Sequence, residues 1–213
     1  MNCPQCDEVM VEAVAICNRC GFNAGLNAPS VQSDFGAKVA RAFELWKANL
    51  ADLTVLTLVF MLVAWVPVIN IAFIAGYTRS LLKVFRGQGR AQVGDIFSAW
   101  DRFANLFVYL LLYLIAVVVL HFIPIVGSLA SIALGFVMVP GMYLVIDKGT
   151  GAIDAYKWCL DTIQKDFAGW LLAYLVGTVI AFAGLLVLGI GMILTLPVGQ
   201  LIIVQQYDEA KPA

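Results

Sequence analysis

The residues best suited to chemistry are four cysteines crowded into the first twenty positions. Cys3 and Cys6 make one C-x-x-C pair, and Cys17 and Cys20 make a second after ten intervening residues. Two such turns at short separation can aim four thiolates at one ion in the tetrahedral geometry that zinc prefers. Gly21 follows the second pair and permits the positive φ that such a turn often needs, whereas Asp7 holds the matching place after the first. About twenty residues with few large side chains cannot fold on apolar burial alone, so bound zinc would supply most of the folding free energy. Two disulfides, a dithiol redox pair and an iron–sulfur centre are the competing uses of the four sulfurs. The first needs an oxidising compartment and the second normally a strand–helix scaffold. Zinc held by Cys3, Cys6, Cys17 and Cys20 is the expectation.

Elsewhere the chain offers little to a catalyst. Its one histidine, His121, has no acidic neighbour, and there is no P-loop, no dinucleotide fingerprint and no H-E-x-x-H. An enzyme is therefore not expected. Cys159 stands alone and reads first as a small buried hydrophobe, with a reactive or acylated thiol as the alternative. Asn70 reads as a turn residue. Gln200, Gln205 and Gln206 would either line a polar vestibule or end a helix. Asp95, Asp101 and Arg102, and the run Asp154, Lys157, Asp161, Lys165, read as ordinary ion pairs on a helix surface.

The rest of the sequence must position these groups, and its composition says in what medium. Of 213 residues, 62% are hydrophobic and 13% charged, with mean hydropathy +0.91. A soluble domain runs nearer 45–50% and 25%. Lipid is the solvent this implies, and a formal net charge of −1 argues against nucleic acid as a partner. Phe103–Ile146 is a run of 44 residues without a formal charge, and Phe167–Tyr207 one of 41. A crossing helix needs roughly 20 apolar residues, so each run suits two helices and a turn, at Pro124–Gly127 and at Gly184–Gly191. Leu53–Thr78 is shorter, at 26 residues. It reads as a third hairpin turning at Trp65–Asn70, or as one helix kinked at Pro67.

Three hairpins put all thirteen basic residues on the side of both termini, which by the positive-inside pattern is the cytoplasm. The first thirty residues contain no apolar stretch of the signal-peptide kind. The expected fold is thus all-α and transmembrane: a six-helix bundle of three helical hairpins with interfacial amphipathic helices, in a bacterial inner membrane. Residues 1–24 form the metal-binding unit, 25–32 a linker and 33–207 the membrane domain. The hairpins fall at about 51–86, 103–146 and 167–207, and 208–213 is a cytoplasmic tail.

One unit is used three times. Trp46, Trp100 and Trp158 occupy matching places before a helix, a turn and a helix that ends near Gly76, Gly141 or Gly199. Trp100 to Gly141 and Trp158 to Gly199 each span 41 positions, and Trp46 to Gly76 spans 30. The tryptophans are read as interfacial anchors on amphipathic elbows. Phe35, Val39, Ala42, Phe43, Trp46 and Leu50 form the apolar stripe of the first elbow, with Lys38, Arg41 and Lys47 on other faces. Val93, Ile96, Phe97, Trp100 and Phe103 form that of the second. In the third, Thr150 is the expected N-cap of a stripe at Ile153, Tyr156, Leu160, Ile163 and Phe167. Small residues four apart recur as Ala72, Gly76, Ser80; Gly127, Ser131, Gly135; Ala173, Gly177, Ala181; and Gly191, Thr195, Gly199. They are expected to pack helices together, within one bundle or in a homo-oligomer.

Residues 1–24 resemble the zinc-ribbon family in cysteine spacing, which implies contact with a protein or nucleic acid rather than catalysis. Residues 33–207 are similar to the membrane domain found in some glycerophosphodiester phosphodiesterases, through Gly76-Tyr77, Arg86-Gly87-Gln88, Val93-Gly94-Asp95-Ile96-Phe97 and the repeated hairpins. The catalytic acids and metal ligands of the phosphodiesterase domain itself have no counterpart here. A ribbon fused to membrane helices is similar in outline to lipid-transport components of the paraquat-inducible-protein-A type. Function is expected as a non-enzymatic membrane scaffold or accessory subunit whose ribbon docks a protein partner. A protein that transports lipid or a small solute is the alternative.

Overall fold

The computed structural model describes residues 35–123, 125–186 and 189–212, so the four-cysteine unit and the linker lie outside the described residues. Among the described residues the chain is helical without a strand. Helix α1 (Phe35–Ala48) meets α2 (Leu50–Val63) at 90°, with the bend at Asn49. Helix α3 (Asn70–Phe85) leads through two short 3-10 turns, Val93–Phe97 and Trp100–Arg102, into α4 (Phe103–His121). Then come α5 (Val126–Lys148), α6 (Ala152–Lys165), α7 (Phe167–Ala183) and α8 (Met192–Ala210).

Among the described residues, three helical stretches are long and apolar enough to cross a bilayer: Val93–His121, Val126–Lys148 and Phe167–Leu186. The bent α1–α2 pair makes a fourth if taken as one span. Only 11% of the apolar window in the first stretch is buried within the chain. Leu114, Ile115, Val118 and Val119 of α4 are each more than half exposed. Apolar surface on that scale belongs in lipid, not water.

The first charge-poor tract is a hairpin, not a kinked rod. Thr57 and Tyr77 hydrogen-bond at 3.0 Å, and the rings of Phe60 and Tyr77 stack at 4.5 Å. Twenty residues along a continuous helix would hold Thr57 and Tyr77 about 30 Å apart. The turn uses Pro67 and a positive φ of 67° at Val68. Its arms are short, however, at 14 and 16 residues, or about 21 and 24 Å against a hydrocarbon core of about 30 Å.

Helices α4 and α5 form the second hairpin, joined where the Tyr109 hydroxyl donates to the Met138 carbonyl at 2.7 Å. In the third, α7 and α8, the Thr195 hydroxyl donates to the Ala181 carbonyl at 2.9 Å. The second arms are the inner ones. Buried residues concentrate in α3, α5 and α8, while α4 buries only Leu106 and Tyr109. Each inner arm packs on an elbow: α3 on the 3-10 turns, α5 on α6, and α8 on α1. The last arm thus meets the first elbow, and the order closes on itself.

The elbows differ from the sequence expectation in three ways. Lys38, expected off the apolar stripe, is 7% exposed because it reaches across to α8. The second elbow is two 3-10 turns instead of an amphipathic α-helix; its run is short, contains Gly94, and is pressed against the backbone of α3 at Gly76. On α6 the N-cap is Gly151, not Thr150. Its buried face is Ala152, Ala155, Cys159, Thr162 and Ile163, whereas Ile153 and Leu160 of the anticipated stripe are exposed at 65% and 54%. Small side chains let α6 approach α5 closely, and the large apolar ones are left for lipid.

Candidate functional site: a charged cap on the inner helices

Where the three inner arms end, each contributes one charged side chain to a common cluster. Arg86, the C-cap of α3, grips Asp147 of α5 with both terminal nitrogens at 2.8 Å, a planar fork on a carboxylate. Its Nε donates to Asp208 of α8 at 2.7 Å. The Tyr207 hydroxyl donates to the second Asp147 oxygen at 2.9 Å, and Lys211 pairs with Asp208. Two positive and two negative charges make the cluster neutral. The hydrogen bonds that Arg86 donates to Asp147 hold the guanidinium pKa above its usual value, against the opposing effect of burial. With side chains 13–19% exposed, Arg86 and its two carboxylates are spent on each other and leave no free acid or base.

Beneath the cap sits an aromatic layer. Tyr143 and Tyr207 stack with ring centres 5.6 Å apart, and the Tyr143 hydroxyl donates to Gln200 at 2.7 Å. A second network fastens α1. The Lys38 ammonium donates to Gln206 and pairs with Glu209, both at 2.6 Å, while Gln206 donates to Asp166 at 2.8 Å. Gln205 in turn donates to Glu209 at 3.1 Å. All three glutamines of the anticipated vestibule are thus engaged within the protein.

The second elbow carries a third network. Asp95 accepts from Ser80 at 2.8 Å and pairs with Lys83 at 3.1 Å. Asp101 receives both terminal nitrogens of Arg79 at 2.8 Å. The anticipated pairs along single helices are therefore largely replaced by pairs between elements. Asp161–Lys165, at 2.6 Å, is the helix-surface pair that the spacing suggested.

Cys159 faces inward from α6, where its sulfur accepts the Gly141 N–H at 2.9 Å and lies 3.4 Å from the Tyr109 hydroxyl. Burial pushes this thiol up, which favours the neutral form. Peptide-resolved alkylation at pH 8 is expected to leave Cys159 unmodified in the folded protein and to label it fully in denaturant. Comparable labelling in both states would show that α6 is not seated as described.

The small-residue series occupy real close approaches. A Cβ on Gly199 would lie 2.8 Å from that of Ala181, and one on Gly177 would lie 2.7 Å from the Gly199 carbonyl oxygen. Gly127 abuts the Leu120 carbonyl in the α4–α5 turn, and Gly191 abuts Gly184 in the α7–α8 turn. Of the three tryptophans, Trp100 is half exposed, whereas Trp46 and Trp158 are part-buried against the core. His121 is exposed at the end of α4, with Nδ1 2.9 Å from the Val117 carbonyl.

Among the described residues no cluster of His, Cys, Asp or Glu could hold a metal ion. The expected zinc ligands Cys3, Cys6, Cys17 and Cys20 lie outside the described residues. The Arg86–Asp147–Asp208 cap was missed from sequence although a signal existed. Asp147 and Asp208 are the first charges after the two long uncharged runs, where a basic anchor is the usual residue. Comparison with family models, curated proteins and solved structures found no match for this chain.

Proposed function

We propose that the protein is a non-enzymatic scaffold or accessory subunit of a bacterial inner membrane. Its three hairpins cross the bilayer six times, both termini are cytoplasmic, and the N-terminal four-cysteine unit is a zinc ribbon that docks a protein partner. The observation that carries the scaffold reading is the Arg86 cap: one ionic side chain from each inner arm is committed to holding the arms together. A rigid frame benefits from such a clamp, whereas an acid–base site needs a group free to exchange protons. Cysteine spacing supports the docking end, and thirteen basic residues on the side of the termini support the orientation.

Affinity capture from detergent tests this reading. Wild type is expected to retain a protein partner and to carry one zinc per chain; Cys17→Ser/Cys20→Ser should lose both while its bundle melts as before. An unchanged set of captured proteins would count against docking. Solute or lipid flux in proteoliposomes would replace the scaffold reading with a transport one.

A further inference from the structure

The second elbow differs from the third in charge and in aromatic content. Residues 79–102 hold five cations, Arg79, Lys83, Arg86, Arg90 and Arg102, against two acids, Asp95 and Asp101; residues 148–166 hold three of each sign. Lys83 is neutralised by Asp95, and Arg86 by the cap. Arg79 and Arg102 are left to share one carboxylate, Asp101, itself half exposed. Arg102 Nε, itself buried, lies 3.3 Å from that carboxylate without a hydrogen bond, so Asp101 is committed chiefly to Arg79. Arg90 is exposed, with no partner among the described residues. A net positive charge therefore remains at this elbow.

Directly along the chain from these guanidinium groups runs a line of rings. Phe73 meets Phe97 and Trp100 edge-on at 5.5 and 6.3 Å, Trp100 meets Phe103 at 5.9 Å, and Phe103 stacks on Phe107 at 5.9 Å. Phe97 and Trp100 are 45% and 50% exposed. Past Phe107 the exposed face of α4 continues in aliphatic residues, Leu111, Leu114 and Ile115 among them. Cation, then amphipathic aromatic, then aliphatic is the order of a bilayer leaflet from headgroup inward.

We propose that the second elbow is a docking surface for an anionic phospholipid. The phosphate meets the partly exposed guanidinium groups of Arg79 and Arg102, and an acyl chain lies along Trp100, Phe103 and Phe107. Charge complementarity selects the anionic lipid over a zwitterionic one, because the surplus positive charge has no protein partner. The inference requires only that the helices lie in a bilayer, and is independent of any partner of the ribbon.

Quenching of Trp100 fluorescence tests it, isolated as the signal lost in Trp100→Phe. Vesicles carry phosphatidylglycerol and phosphatidylcholine in equal parts, with bromine on the acyl chains of one or of the other. At low salt the brominated phosphatidylglycerol is expected to quench Trp100 about fivefold more effectively, the preference that roughly one unpaired cation at the headgroup gives. Arg102→Gln should bring the ratio close to one, and Lys157→Gln on the third elbow should leave it unchanged. Equal quenching by the two lipids in wild type overturns the proposal, even if Arg102→Gln fails to fold. So does a preference that Arg102→Gln retains or that Lys157→Gln abolishes.

Discussion

Replacing Arg86 by leucine is expected to destabilise the bundle by about 3 kcal/mol, because it strands the partly buried Asp147 without a counter-ion and leaves Asp208 with Lys211 alone. For a helical unit of this size that is a fall of roughly 6–12 °C in the unfolding midpoint. The cause is chiefly the orphaned charge of Asp147, not loss of contact area, and this distinction can be tested. Arg86→Leu/Asp147→Leu/Asp208→Leu removes all three charges and should recover most of the stability, since apolar side chains can fill a site that ions occupied. Arg86→Lys keeps the charge but loses the fork to Asp147 and should fall between wild type and Arg86→Leu. Thermal unfolding in detergent measures all three. A single variant that melts with wild type would remove the cap from any account of how the arms are held.

Gly76→Ala is expected to cost about as much from one methyl group. The added carbon would lie 2.5 Å from the Asp95 carbonyl oxygen and 2.6 Å from the Ile96 carbonyl carbon. Both are backbone atoms, so no side chain can rotate away; α3 and the elbow must part. Parting them weakens Ser80 to Asp95, Lys83 to Asp95 and Arg79 to Asp101 together. Overpacking a tight contact typically costs 1–3 kcal/mol, and about 3 kcal/mol is the expectation with these bonds loosened. Gly94→Ala provides the control, because a Cβ there meets no atom within 4 Å. It should change stability by less than about 0.5 kcal/mol. Equal melting of the two variants would mean that α3 and the elbow are not in contact at Gly76.

The hairpins were legible in the sequence because lipid imposes a simple rule. Uncharged runs of 44 and 41 residues can only be arms and turns, and the breaks at Pro124–Gly127 and Gly184–Gly191 sit where α4 meets α5 and α7 meets α8. The glycines were legible as contact points, though not what they touch. Gly76 meets an elbow, Gly141 meets Cys159 and Tyr109, and Gly199 meets α7. Ion pairing was not legible, since spacing along one helix predicts only neighbours on that helix. Asp95 and Asp101 pair instead with α3, 12 and 22 residues earlier, and Arg86 pairs with residues 61 and 122 positions later. The two faces of α6 follow from the same medium. In water the larger apolar side chains would face the protein, but beside lipid they can face out while alanines and Cys159 pack inward.

The meeting of α1 with α8 sets an order of events during synthesis. Lys38 leaves the ribosome 168 residues before Gln206, its acceptor. At 5–20 residues per second, that is a delay of roughly 10–30 s. Throughout it the nascent α1 has neither Glu209 nor Gln206 to hold its ammonium group. Helix α1 is thus made early and fastened late, and a chain halted before its final twenty residues would carry it as a loose strap.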